Sequence, residues 1–137
     1  MAFSRSFPRP FFMAVLLAAA LPAQAQSGRA CMLEAPIQAL GAPTVVTLCL
    51  QGRQGTSRSV IKDLCEGVAW NHAGGMGRNN GVRMTWLAQC PKQEADAVCR
   101  QAYDGQFDIW HYDRNEGQLD ALAEECEADD GQWQEFE

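Results

Sequence analysis

Thr44-Val45-Val46-Thr47-Leu48-Cys49-Leu50 is β-branched or apolar at every position and carries no charge. That pattern predicts a strand buried on both faces, ending at Gln51-Gly52. Downstream, from a cap at Thr56 or Ser57, the apolar residues Val60, Ile61, Leu64, Cys65 and Val68 recur at helical spacing, with Arg58, Lys62, Asp63 and Glu66 opposite. This is the signature of an amphipathic helix. Val82, Met84, Trp86 and Ala88 alternate with Arg83, Thr85, Leu87 and Gln89, a period of two that predicts a second, half-buried strand.

The later sequence repeats the theme. Cys99 to Tyr103 and Phe107 to Tyr112 flank the turn signal Asp104-Gly105. Asn115 followed by Gln118 reads as a capping box, ahead of the helical stripe Leu119, Leu122, Ala123 and Cys126. Asp130-Gly131 then turns the chain into a short last strand at 132–136. Strand, helix and strand around Cys49, Cys65 and Trp86 are echoed around Trp110, Cys126 and Trp133, with Ile61-x-x-x-Cys65 matching Leu122-x-x-x-Cys126. A duplicated unit in the order βαββαβ predicts an α+β fold, an antiparallel sheet with two helices on one face and a ferredoxin-like arrangement.

Upstream of Thr44, residues 26–43 contain Pro36, Gly41 and Pro43 and read as a lead-in segment tethered by Cys31, ahead of a single domain over 44–137. Residues 1–25 read as a signal peptide. Arg5 and Arg9 precede the apolar run Phe11 to Leu21, Pro22 breaks it, and Ala23-Gln24-Ala25 suits a peptidase cut after Ala25. The run is short of the roughly 20 residues that cross a bilayer, so no stable membrane anchor is expected after cleavage.

Cleavage leaves 112 of the 137 residues and moves the net charge from −6 to −8, because two of the eleven basic residues depart. From Gln101 onward twelve carboxylates face one base, Arg114. A nucleic-acid partner is excluded by that balance, since phosphate contacts need a basic face. A cationic protein partner fits it, with Asp129, Asp130, Glu135 and Glu137 as the acidic surface.

The six cysteines, Cys31, Cys49, Cys65, Cys90, Cys99 and Cys126, read as three disulfides of an exported chain. No two are spaced as Cys-x-x-Cys, so zinc-knuckle and thioredoxin-like readings lose their support. Helices running antiparallel on one sheet face put Cys65 and Cys126 at opposite ends of the domain, too far apart to bridge. The expected pairs are then Cys31–Cys65, Cys90–Cys99 and Cys49–Cys126.

The frame Cys65, Gly74-Gly75, Cys90-Pro91, Cys99, Trp110-His111-Tyr112, Cys126 and Gly131-x-Trp133 resembles that of a loose group of short exported bacterial proteins of uncharacterised function. The likeness spans about residues 45 to 134, and the Gly-rich stretch from Asn71 to Gly81 is longer here than the tight Gly-Gly-aromatic turn of that group. It implies a compartment and a fold, and no activity.

Only His72 and His111 are of a type whose ordinary pKa lies near neutrality. There is no nucleophile elbow, Ser57 and Ser59 sit at the first helix, and Glu124, Glu125 and Glu127 fall at helical positions that face solvent. No catalytic residue, cofactor or resident metal is therefore assigned. The Gly-rich loop offers a candidate binding loop through His72, Met76 and Arg78, although it has neither the Lys-Ser/Thr of a P-loop nor a dinucleotide fingerprint. Three function classes remain. The first is a non-enzymatic interaction domain of the periplasm or the secreted space, in a specific form an immunity or inhibitor protein. The second is a copper handler using His72, Met76 and Met84. The third is a small hydrolase, which requires a concave site gathering His72 or His111 with a buried carboxylate.

Overall fold

The computed structural model describes residues 28–39, 42–72 and 81–137. The expected signal peptide, Met76 and Arg78 lie outside them. Two long strands, β1 (Ala30–Ala39) and β2 (Ala42–Gly52), pair antiparallel with Cys31 opposite Leu50. The lead-in expected over residues 26–43 is thus largely strand, with Cys31, Leu33 and Ala35 buried on one face. Pro36 is tolerated because the strand on the other side of β1 pairs only with Ala30 to Glu34, so a missing N–H at position 36 breaks no ladder there.

The chain continues through helix α1 (Arg58–His72) and strand β3 (Arg83–Leu87), then β4 (Ala97–Gln101), the single turn α2 (Ala102–Gly105), β5 (Phe107–Tyr112), α3 (Glu116–Ala128) and β6 (Gln132–Glu135). Ser57 caps α1 by accepting from the Val60 amide at 3.3 Å. Asn115 and Gln118 form the reciprocal capping box expected for α3, with bonds of 3.0 and 3.1 Å.

The six strands form one antiparallel sheet in the order β3-β1-β2-β5-β4-β6. The fold is a small α+β domain braced by disulfides, as the sequence predicts, but its strand order is not the ferredoxin-like one. The repeating unit is ββαβ: a hairpin, a helix, and a third strand that returns to the hairpin's first strand. Cys31 opposite Leu50 and Trp86 in the first unit corresponds to Cys99 opposite Ile109 and Trp133 in the second. The units meet along β2 and β5, where Leu50 lies opposite Ile109. A ferredoxin-like sheet would set β3 beside β5 and β6 beside β2, whereas here β3 pairs with β1 and β6 with β4, each with the first hairpin strand of its own unit.

Both faces of the sheet are covered. On one face Leu33, Val46, Leu48, Leu50 and Phe107 pack against Ile61 and Cys65 of α1. On the other, Cys49, Val98, Trp110 and Tyr112 pack against Cys90 and Ala95 of the connector between β3 and β4. The Tyr112 hydroxyl donates to the Pro91 carbonyl at 2.9 Å, and the Cys90 amide donates to Gln51 Oε1 at 2.9 Å, which pins that connector down.

The disulfides are Cys31–Cys65, Cys49–Cys90 and Cys99–Cys126. The first agrees with expectation; Cys90–Cys99 and Cys49–Cys126 are corrected. Cys49 alternates with Leu48 and Leu50, which face the helices, so its sulfur points to the opposite face, where Cys90 lies. Cys99 faces the helices and meets Cys126. The outer two bridges are equivalent, each tying the first hairpin strand of a unit to its helix. Three bridges fit an oxidising, extracytoplasmic compartment, and no described helix is long and apolar enough to cross a membrane.

Candidate functional site

The two helices do not close over the sheet. Helix α1 lies over β1 and β2 and helix α3 over β4 and β6, so the central seam of β2 and β5 is left between them. A cleft of about 360 Å³ opens there. Val46, Leu48, Leu50 and Ile109 form its apolar floor, with Val68 and Leu122 on the walls.

Substitutions between the two units explain why the cleft exists. In the first, Gly52 has no side chain and Ile61 settles over it; a Cβ at residue 52 would stand 2.4 Å from Ile61 Cδ1. In the second, His111 takes the equivalent strand position and Leu122 the equivalent helix position. The imidazole fills the space that glycine leaves empty, and Leu122 remains only half-buried while Ile61 is fully enclosed. Leu64 of the first unit becomes Glu125 of the second, and Val68 becomes Asp129, so polar groups replace the apolar contacts that press α1 onto the sheet.

The cleft gathers polar residues from four places: His72 at the end of α1, His111 on β5, Arg114 just beyond it, and Glu125 on α3 with Asp129 at its C-cap. His111 is 6% exposed and its Nδ1 has no hydrogen-bond partner. Burial, with the Arg114 guanidinium as a second cause, lowers its pKa to about 4 and keeps the ring neutral near pH 7. The ring packs against Trp133 at 5.5 Å between centroids. His72 is shifted down as well, by burial first and Arg114 second, with Glu125 opposing.

Arg114 is half-buried and held from both ends. Its amide donates to Asp96 Oδ2 at 2.8 Å, and its Nη2 reaches the Thr47 carbonyl at 3.4 Å, while its Nε has no partner. Burial lowers its pKa, and Asp96 and Asp113 oppose that shift. Tyr103 stands at the mouth, its hydroxyl pushed up by burial and then by Glu125 and Asp129. It belongs to a run of left-handed residues in the β4–β5 connection, with φ of 60° at Gln101, 51° at Tyr103 and 57° at Asp104. Non-glycine residues adopt such angles at a cost of about 1 kcal/mol or more each.

Of the residues singled out from sequence, His72 lies in this cleft, as does His111. Asp129 is at the mouth, and Asp130, Glu135 and Glu137 are exposed on the surface. Met84 packs against the helix-side core, which leaves its thioether as a packing group. Ser57 and Ser59 contact each other at 3.0 Å at the start of α1. A 15-residue helix rises about 1.5 Å per residue, which sets both serines far from His72 at its other end. Among the described residues no cluster of three His, Cys, Asp or Glu side chains is placed to hold a metal. Arg114 escaped notice as a site residue. The available signal was its isolation as the one base after Gln101, only three residues from His111.

Neither a family model, nor a curated protein, nor a solved structure matches this chain. The reading of the site therefore rests on its geometry.

Proposed function

We propose that this chain is an exported, non-enzymatic binding domain of the periplasm or the secreted space, and that it meets a basic protein partner through the outer face of α3. The observation that carries this is the stripe Glu116, Asp120, Glu124 and Glu127, all exposed. The ion pairs among the described residues are Arg53–Asp108, Lys62–Glu66 and Arg83–Glu34, and none of them reaches α3. Asp130, Glu135 and Glu137 add to the same charge. Like charges spaced four apart on a helix repel, and a cationic partner relieves that repulsion while the field speeds encounter. An inhibitor or immunity protein that occupies a basic cleft is the specific form this takes. Catalysis is disfavoured by the lining of the cleft. Its two sulfurs are locked in Cys99–Cys126, among the described residues no serine or threonine lines it, and its carboxylates, Glu125 and Asp129, are exposed where a hydrolase would need one buried.

The test is affinity capture from an envelope extract with the oxidised protein and with a Glu116→Gln, Asp120→Asn, Glu124→Gln, Glu127→Gln variant. A partner captured at low salt, released by roughly 0.5 M salt where charges are screened beyond a few ångströms, and lost in the variant supports the proposal. Capture that is indifferent to the four substitutions, or absent at low salt, overturns it.

A further inference from the structure

We infer that the cleft between α1 and α3 is a binding site for a small monocarboxylate with an apolar body. The inference does not rest on the protein-partner reading, because it uses the opposite side of α3.

Two buried polar groups at the cleft are left unsatisfied. Arg114 Nε–H is a donor with no acceptor, and His111 Nδ1 lacks a partner on a side chain 94% buried. Buried polar groups are nearly always paired, and both of these nitrogens belong to side chains that line the same cleft, which points to a group that arrives from outside. A guanidinium has donors and no acceptor, and a neutral imidazole offers one N–H, on either ring nitrogen. The guanidinium calls for an acceptor, and a carboxylate meets it with charge assistance, the His111 N–H adding a second donor in the tautomer that turns its proton to the cleft.

The rest of the cavity describes the body of the ligand. The floor of Val46, Leu48, Leu50 and Ile109 is wholly apolar, and about 360 Å³ holds a chain of ten or so carbons. Glu125 and Asp129 stand exposed at the mouth. They make no attractive contact with an anion, and they exclude ligands carrying a second negative charge at the far end. Their presence also separates the candidate chemistries, since an amine ligand would be drawn to these acids and repelled by Arg114.

Calorimetric titration of the oxidised protein near pH 7 with decanoate, decylammonium and decanol, three probes of equal length, decides the question. The expected result is saturable one-to-one binding of decanoate, at least tenfold tighter than either of the others. Arg114→Gln should weaken decanoate tenfold or more, Glu125→Gln should leave it unchanged or tighten it, and Leu122→Trp should block it by filling the cleft. The Glu116, Asp120, Glu124 and Glu127 variant should bind decanoate as the unaltered protein does, which keeps this test separate from partner capture. Should Arg114→Gln unfold, shifts of the His111 ring and Arg114 Nε–H resonances on adding decanoate to the unaltered protein give the same answer. Decylammonium or decanol binding as tightly as decanoate, an Arg114→Gln variant with unchanged affinity, resonances that do not move, or no saturable binding at millimolar decanoate would each overturn the inference.

Discussion

Gly52 and His111 occupy equivalent positions in the two ββαβ units, and the difference between them decides where the domain is solid and where it is open. Over Gly52 the Ile61 side chain lies in the space a Cβ would need, which would stand 2.4 Å from Cδ1 and 2.7 Å from Cγ1. Gly52→Ala should therefore destabilise by about 1–3 kcal/mol, the usual cost of overfilling a packed core. Gly131→Ala should cost more. Its Cβ would meet the sulfurs of Cys99 and Cys126 at 2.7 Å each and the Cys126 carbonyl at 2.8 Å, none of which is the free end of a flexible chain. Urea unfolding of both variants under non-reducing conditions checks the order.

The equivalence of Cys31–Cys65 and Cys99–Cys126 gives a second expectation. Both tie a hairpin strand to the helix of the same unit, across separations of 34 and 27 residues. Loop-closure entropy varies only logarithmically with length, so replacing either pair by alanine should cost a similar ~3–4 kcal/mol. The Cys49–Cys90 bridge has a different role, holding the β3–β4 connector against the face away from the helices. Its removal should expose amides near Trp110 to hydrogen exchange and leave α1 and α3 protected. Peptide mapping without reductant gives the pairing directly.

Much of this architecture was legible from local pattern, and the failures share one cause. Helix α1, the capping box of α3, and strands β2, β3, β5 and β6 announce themselves through periodicity and caps, which are properties of neighbours in sequence. Strand β1 did not, because Pro36 signals a break, and only the short reach of β3 shows that the break is harmless. The two mistaken disulfides came from Cys49. A strand apolar at every position does not reveal which face is which until its partners are known, although parity with Leu48 and Leu50 already set Cys49 apart from the helix side. The cleft was hidden for the same reason. His72, the neighbours His111 and Arg114, and Glu125 come from three separate parts of the chain, and only the seam between the units brings them together.

Tyr112 offers a local test of how the second sheet face is held. Its hydroxyl donates to the Pro91 carbonyl at 2.9 Å, and burial raises its pKa well above the ordinary phenol. Tyr112→Phe removes the bond and keeps the ring, so the expected loss is about 0.5–1.5 kcal/mol. Because Pro91 follows Cys90 directly, that loss should grow when the Cys49–Cys90 bridge is also removed. A double-mutant cycle by chemical unfolding measures the coupling.

His111 should make the stability of the domain depend on pH over a defined window. In the folded protein its pKa is lowered from 6.5 to about 4, chiefly by burial and then by Arg114. Between those values the unfolded chain binds a proton that the folded one refuses, so stability falls as the solution is acidified from about pH 6.5 to about pH 4. Below that both states are protonated and this contribution has been lost in full. One pKa unit corresponds to about 1.4 kcal/mol, so the whole window is worth up to about 3 kcal/mol. His72 is shifted in the same direction and adds to the trend. The difference between the unaltered protein and His111→Gln isolates this one ring. Unfolding free energies at pH 7, 5.5 and 4.5 should converge between the two proteins as pH falls, and the His111 resonance should titrate near pH 4. Arg114→Gln should move that midpoint upward while leaving most of the shift in place, because burial is the larger cause. A His111 midpoint near 6.5 would mean that the ring is open to water and that the floor of the cleft is not as closed as its burial indicates.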